Sequence, residues 1–569
     1  LPGLQPWVNF CYGQESELFF HTSHISSSSG VHQGDPLGPL LFALALLPLT
    51  KELADLTPHL AINAWYLDDG VFQGTILELA SAFSFLLEKA PGFGLTLNIP
   101  KCSLWCGNAT PSLPPSLAAV PRADPRGFQL LGAPIGDETF CAEIVRARTL
   151  KIASILDKLK KIDDAHVEYC LLRSCLTFPK VVYTLRTCSP SSSLLQDAYT
   201  QLDFVFREAI TFLLSAQLTE VAWRQATLPV SLGGLGIPSA KTLAPAAFIS
   251  SITQTRDLVQ LITSTTGPSN RDFDTSLSLL RVSADLPNPI DMDSPELKSQ
   301  RALSFAIQLN QQKLLLSKVS APRDKARLSS LTLPRAGDWL NTTPIPSLGI
   351  KLQSAEFRVA SLLRLGLPVF HMPAPCPACP NAPIMDILGD HAILCKSRGD
   401  RVHRHDRIRD AIFSAAQSAA LAPSKEAKHK KSTKPADVTL PHWTRGREAA
   451  LDITVVNPLA PSYLPRASKI AGAALEARYK EKMSKHHRDC EEAGIDFIPL
   501  VVESLGGWEA DALLNLKRIG HLTAQRLGTP ASTSTKQLFQ RLAVVLQRGN
   551  ANLILGRIPE VPPSVSGLI

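Results

Sequence analysis

Ala61-Ile62-Asn63-Ala64-Trp65-Tyr66-Leu67-Asp68-Asp69-Gly70-Val71-Phe72-Gln73 sets two adjacent carboxylates between two short apolar and aromatic segments. The first segment, Ala61 to Tyr66, reads as a strand, and Gly70 to Gln73 as its partner, with Asp68-Asp69-Gly70 supplying the turn of a β-hairpin. Asp-Asp-Gly is also an ordinary turn sequence. Two carboxylates at a hairpin tip are nevertheless suited to Mg²⁺, or Mn²⁺, which takes hard oxygen ligands together with substrate phosphates. A pair of such ions can activate a primer hydroxyl and stabilise a leaving pyrophosphate.

Three further blocks flank this hairpin. Upstream, Gly30-Val31-His32-Gln33-Gly34-Asp35-Pro36-Leu37-Gly38-Pro39 leads into the apolar run Leu40 to Leu47, which reads as a buried helix. Glycines here let the backbone approach a nucleotide or template. Downstream come Gly94-Leu95-Thr96-Leu97-Asn98-Ile99-Pro100-Lys101-Cys102 and Phe128-Gln129-Leu130-Leu131-Gly132-Ala133-Pro134-Ile135-Gly136. In this order the four blocks resemble motifs B, C, D and E of a reverse transcriptase palm of the non-LTR (LINE-type) retrotransposon kind. The resemblance implies that Asp68 and Asp69 are catalytic Mg²⁺ ligands, and that Gln33, Gly34 and Tyr66 lie against nucleotide and template. It also implies that Lys101, expected after a short strand, protonates the leaving pyrophosphate. The hairpin at Leu131 and Gly132 would grip the primer terminus. A third catalytic carboxylate, carried by motif A, is expected upstream of Leu1. The chain is therefore expected to be a piece of a longer polyprotein that does not itself extend a primer.

The chain has 569 residues, 45% of them apolar, enough for several globular domains. Its formal charge is +8, and residues 401–489 alone hold 18 Lys and Arg against 9 Asp and Glu, a net +9. Such a local surplus suits a polyanionic partner. Eleven scattered cysteines form no disulfide framework and point to a reducing compartment. The longest apolar run, Pro39 to Leu49, is short of the roughly 20 residues a membrane helix needs, and no membrane partner is expected.

Residues 141–238 carry helical periodicity and the cations Arg146, Arg148, Lys151, Lys158, Lys160 and Lys161. By position they resemble a thumb that tracks a duplex through phosphate contacts. Gly233-Gly234-Leu235-Gly236-Ile237-Pro238 reads as the break that ends it, and it lacks the Gly-Lys-Ser/Thr ending of a phosphate loop. Residues 239–370 read as a helical connector. Cys376, Cys379, His391 and Cys395 follow in a Cys-x2-Cys-x11-His-x3-Cys pattern. Three thiolates and an imidazole suit structural, tetrahedral Zn²⁺. His403-Arg404-His405-Asp406-Arg407 opens a basic helix, and Lys425 to Lys434 is a Lys-rich loop. Leu451-Asp452-Ile453-Thr454-Val455-Val456 reads as a buried strand holding a carboxylate, which is costly unless paired or metal-bound. Asp437 precedes it by 15 positions, with Arg445-Gly446-Arg447 as the turn between. A helical stretch from Ala467 to Asp489 bears Lys482 and Lys485, and Phe497 to Glu503 reads as a further core strand.

This arrangement resembles the zinc motif and PD-(D/E)xK-type, restriction-like endonuclease of such retrotransposons. The resemblance implies that Asp437 and Asp452 hold Mg²⁺ or Mn²⁺ and that Lys482 or Lys485 is the nuclease lysine. Two departures stand out: Pro-Ala-Asp replaces Pro-Asp, and His486 stands where the family's Lys-x-x-Lys-Tyr pattern has Tyr. The expected fold class is multidomain α+β. Its expected parts are a partial right-hand polymerase palm over 1–140, a helical thumb over 141–238 and a connector over 239–370. A zinc knuckle over 371–400, an α/β restriction-like nuclease over 401–520 and a tail over 521–569 complete it. The implied function is RNA-directed DNA polymerase plus DNA-nicking endonuclease in target-primed reverse transcription. Its partners would be an RNA template, a DNA target and primer, and dNTPs, with an intracellular, nuclear site of action. The other reading is a decayed or repurposed nucleic-acid-binding remnant without polymerase activity.

Overall fold

The computed structural model describes residues 2–263, 271–287, 294–425, 436–444 and 446–558. Most of the Lys-rich loop (426–435), Arg445, the Ser- and Pro-rich breaks at 264–270 and 288–293, and the Pro-rich end from 559 lie outside the described residues. The chain is a helix-rich α+β protein. Contacts divide it into two compact units, one reaching Phe140 and including 254–263, the other comprising the described residues of 141–253 and from Arg271 onward. No helix among the described residues is long and apolar enough to cross a membrane.

The first unit contains α1 (Gln5–Tyr12), the hairpin β1 (Ser16–Phe20) and β2 (Ser23–Ser27), and α2 (Gly38–Leu56). The hairpin β3 (Ile62–Tyr66) and β4 (Asp69–Gln73), α3 (Ile76–Lys89), and the hairpin β5 (Gly127–Leu130) and β6 (Ala133–Gly136) follow. Leu46, Leu49 and Leu53 of α2 pack on Ala82 and Leu86 of α3, with Trp65 and Phe72 of the hairpin beside them. The expected buried helix after Pro39 is thus buried on one face only, since Leu40, Leu44 and Leu47 point outward. α3 starts where Thr75 and Glu78 form a capping box, and it ends at Lys89, two residues before Pro91. A 3-10 turn, Ala90–Phe93, and left-handed Gly94 (φ 73°) complete the exit. The strand expected before Lys101 is absent: Lys101 ends a 3-10 turn, Ile99–Lys101. Leu95 and Leu97 do face the hydrophobic core, but among the described residues no strand pairs with them, and alternation without a partner makes no ladder.

From α4 (Glu138–Leu159) the chain is helical: α5 (Ala165–Leu171), α6 (Phe178–Thr187), α7 (Ser193–Leu214), α8 (Glu220–Ala226), α9 (Ala240–Thr263) and α10 (Arg271–Ala284). Next come α11 (Pro295–Lys298), α12 (Gln300–Lys318), α13 (Pro322–Ser330) and α14 (Ser354–Leu365). The loop Gly233 to Pro238, read as a break, is instead gripped inside the second unit. Gln225 Nε2 donates to Gly233 O at 2.9 Å, Arg364 Nε to Gly234 O at 3.0 Å and Tyr169 Oη to Leu235 O at 2.6 Å. The buried side chain of Arg364 also donates to Val230 O at 2.7 Å, so it satisfies carbonyls that a buried loop would otherwise leave orphaned. The boundaries expected at 238 and 370 therefore fall within one compact unit.

His166 lies fully buried in this unit, stacked on Phe357 at 5.0 Å between centroids. The Leu352 N–H donates to Nδ1 at 3.1 Å, so that nitrogen carries no proton, and Nε2 faces Thr342 Oγ1 at 3.1 Å. Burial holds the imidazole down to about 4 from its ordinary 6.5. A depressed histidine leaves the unfolded state binding more protons, so its contribution to stability falls as the pH drops from 6.5 toward 4. Between pH 7 and pH 4 the stability of wild type relative to His166→Gln is expected to fall by about 3 kcal/mol. Urea unfolding of both proteins across that range checks it, and a pH-independent difference sinks it.

The remainder carries β7 (Ala374–Pro375), β8 (Ile384–Met385), α15 (Asp390–Leu394), α16 (Asp400–Ser418), β9 (Ser424–Lys425), β10 (Val438–Thr444) and β11 (Arg447–Val456). After these come α17 (Leu464–Ala467), α18 (Ala473–Glu492), β12 (Ile495–Glu503), α19 (Ala510–Leu527) and α20 (Ala531–Leu555). One sheet runs in the order β12-β11-β10-β9. β10 pairs antiparallel with β11, while β11 and β12 are parallel, joined through α18. Leu451 and Ile453 of β11 and Leu500 and Val502 of β12 point to a core shared with α16, α19 and α20. The alternate residues Val456 and Val501 pack on Ala474 and Leu475 of α18. The tail expected from 521 is part of this core, because Leu538, Phe539, Leu542 and Leu546 of α20 fill it.

Candidate functional site

Strand alternation decides where the second carboxylate goes. Leu451 and Ile453 face the main core, so Asp452 faces α18. Lys482, on the polar face of that helix, places Nζ 3.0 Å from Asp452 Oδ1 and 2.8 Å from Oδ2. Both side chains keep about a fifth of their surface open, 17% for Lys482 and 21% for Asp452. Lys485, exposed one turn further, is not brought to the carboxylate; nor is Lys480, which pairs with Glu476. The pairing Val438↔Leu451 puts Asp437, one residue before β10, opposite Asp452.

β10 begins at Val438, so Ile453 has no strand partner on that side for its N–H and C=O. Side chains satisfy both groups: Ile453 N donates to Asp437 Oδ2 at 2.7 Å, and His405 Nε2 meets Ile453 O at 3.0 Å. His405 Nε2 also lies 3.2 Å from Asp437 Oδ2, and its Nδ1 lies 3.3 Å from Asp406 Oδ1. The Asp437 carboxylate holds His405 up at about 9, against the opposing effect of burial. The result is a shallow cluster at the end of β10: two opposed carboxylates, one ammonium and one imidazole.

Cys376, Cys379, His391 and Cys395 converge on a second cluster, with one ligand atom from each lying within 4.8 Å of all the others. Cys379 Sγ is 3.4 Å from Cys395 Sγ and 3.6 Å from His391 Nε2. A tetrahedral site with Zn–S near 2.3 Å spaces its sulfurs by about 3.8 Å, so the set can hold zinc. The first pair sits on a tight hairpin closed by Cys376 N→Pro383 O and Ala382 N→Cys379 O. Asp386 fixes the second pair, accepting from the backbone N–H groups of Asp390 at 3.1 Å and His391 at 2.9 Å. Asp390 in turn receives Arg323 of α13 through two bonds of 2.5 and 2.7 Å.

The hairpin tip in the first unit differs in detail from its expected form. Leu67 and Asp68 make the two-residue turn, with Leu67 at φ 55°, and Asp69 already pairs with Tyr66 as the first residue of β4. Two-residue turns of positive φ match the strand twist, which displaces the turn by one residue from Asp-Asp-Gly. Gly70 sits across from Trp65, where a Cβ would come within 3.1 Å of the indole. Its absence lets Trp65 and Phe72 meet edge to face at 5.5 Å on the core side. Asp68, Asp69 and Tyr66 stand exposed at the tip. Gln33 and Gly34 are exposed in the loop before α2, Lys101 is exposed, and Leu131 and Gly132 form the turn of β5 and β6.

His405 is the residue that pattern reading missed. It stood in plain view in His403-Arg404-His405, yet a histidine in a basic helix carries no sign of a strand end about fifty positions further on. No protein-family model matches this chain, and no curated protein matches it.

Proposed function

We propose that the C-terminal sheet region is a metal-dependent nuclease that nicks DNA, carried by a retrotransposon-type protein. The observation that carries this reading is the ion pair of Lys482 with Asp452, set opposite Asp437 at the end of β10. When bound there, Mg²⁺ or Mn²⁺ would lower the pKa of a water and polarise the scissile phosphate. Asp437 and Asp452 would hold the ion, His405 would fix the Asp437 carboxylate, and Lys482 would orient the nucleophile and offset developing negative charge. The +9 segment around the site supplies sequence-independent attraction to phosphates. Cys376, Cys379, His391 and Cys395 would hold structural Zn²⁺. In the first unit, the exposed Asp68 and Asp69 support a polymerase reading, with Gln33, Gly34, Tyr66, Lys101, Leu131 and Gly132 around RNA template, DNA primer and dNTP.

Conversion of supercoiled plasmid to open circle in Mg²⁺ or Mn²⁺ tests the nuclease. Nicking is expected to fall steeply with salt, as release of counterions from several phosphates requires. Lys482→Ala is expected to lower the rate by about 10²-fold, the scale of losing one charge-stabilising group. Lys485→Ala is expected to leave the rate near wild type. Equal losses in the two variants would show that Lys482 acts only through general basic charge. A wild-type chain that binds DNA without nicking it in either metal favours the remnant reading.

A further inference from the structure

The Cys376/Cys379/His391/Cys395 centre has a charge problem if it holds zinc. Three thiolates against one divalent cation leave a net charge of −1, and Cys376 and Cys395 are buried among Val359, Leu363, Ala551 and Ile554. A buried unpaired charge is costly, so a compensating cation is expected close by. Arg557, just beyond α20, lies fully buried, with its guanidinium beside the Cys395 thiol. It donates to Leu553 O at 2.6 Å and Ser397 O at 3.3 Å, and pairs with Asp400 at 2.9 Å. Its Nε has no hydrogen-bond partner, a costly state for a buried guanidinium. Asp400 keeps about a third of its side chain, 32%, in solvent, so it does not use up the buried charge. Of the other cations near the cluster in sequence, Arg398 is turned to the carbonyls of Gly556 and Pro377 and is exposed, Lys396 is exposed, and Arg401 donates to Leu394 O at 3.4 Å.

Resting on the zinc reading above, we infer that Arg557 is the buried counter-charge of the thiolate centre, so that metal loading and the docking of Gly556 and Arg557 after α20 are coupled. Arg557 is then a positioning residue for the metal, some 160 positions from Ser397 and the ligand Cys395 in sequence. α20 also fills the core beneath β10 and β11, so the coupling ties the metal centre to the sheet that carries Asp437 and Asp452.

The test compares the full chain with Arg557→Ala, Arg557→Met and Arg557→Lys under reducing conditions. Zn²⁺ affinity is read by competition with a chelator, and the site is read by the thiolate-to-metal absorption of bound Co²⁺. Arg557→Ala and Arg557→Met are expected to weaken metal binding about 10- to 100-fold, the usual cost of removing an outer-shell partner. Arg557→Lys is expected to recover most of it, because it restores the charge. Arg557→Met keeps the apolar stem, so its loss of affinity is not a loss of packing. Affinity within twofold of wild type in the Ala or Met variant, or equal affinity in the Met and Lys variants, overturns the proposal. If neither uncharged variant folds, the Lys variant decides: retained metal supports the counter-charge and lost metal overturns it. Wild-type chain that takes up neither Zn²⁺ nor Co²⁺ overturns the zinc reading itself, an outcome distinct from wild type that binds metal while the variants bind it equally well.

Discussion

Asp452→Ala is expected to abolish plasmid nicking while leaving DNA binding nearly unchanged. The side chain faces α18 and makes no contribution to the main core, whose β11 members are Ala449, Leu451 and Ile453. Its removal takes away one of two opposed carboxylates and releases Lys482 from the position it holds at 2.8 Å. A group that acts as part of a catalytic unit typically costs on the order of 10³-fold or more when deleted. On the nuclease proposal DNA affinity would rest on phosphate contacts spread over the basic segment, so removal of one acidic residue should not weaken it. Asp452→Asn, which keeps the shape and loses the charge, should be as inactive as the alanine variant. Nicking at the same rate in wild type and Asp452→Ala would place the activity elsewhere or in a contaminant.

Cys379→Ser is expected to lose the zinc and to loosen more than the knuckle. Wild-type chain made under reducing, zinc-replete conditions should hold about one Zn²⁺, the load of one four-ligand site. Cys379 approaches both His391 and Cys395, so the substitution removes the ligand that joins the two halves of the cluster. Metal binding and local folding are one free energy in such sites, and the loss should amount to several kcal/mol, on the order of a buried charged pair. The hydrophobic cluster around the cysteines includes Val359 and Leu363 of α14 and Ala551 and Ile554 of α20. Amide exchange should therefore quicken in residues 374–395 and also at the ends of those two helices. Metal analysis that finds no zinc in wild type would end this reading. Faster exchange confined to 374–395 would show that the knuckle is independent of α20.

Local chemistry was legible wherever neighbours in sequence are neighbours in space. The Cys-x2-Cys pair closes on its own hairpin, and Asp386 and α15 set the second pair, so spacing alone picked out all four side chains of the cluster. The strands β11 and β12 were readable because β-branched runs bounded by turns have few other ways to bury themselves, whereas β10 was not read from the sequence. The hairpin of β3 and β4 was legible too, although its turn lay one residue earlier than Asp-Asp-Gly suggested, because strand twist decides the turn type.

Other features depended on partners that no window of sequence contains. The choice between Lys482 and Lys485 follows from which turn of α18 packs over Asp452, since both lysines lie on the same polar stretch of helix. His405 enters the site because β10 stops at Val438 and leaves the Ile453 peptide groups to be satisfied from α16. The alternating residues before Lys101 looked like a strand and found nothing to pair with. A glycine-rich break became a buried loop once Gln225, Tyr169 and Arg364 donated to its carbonyls. Residues 521–555, read from the sequence as a helical tail without functional signal, complete two hydrophobic clusters. Amino-acid order by itself determined the spacing of the Cys and His cluster, the strands β11 and β12, and the position of Asp452 along β11. Tertiary structure alone decided which cation meets which carboxylate, because hydrogen bonding and charge compensation act over a few ångströms of space, whatever the distance along the chain.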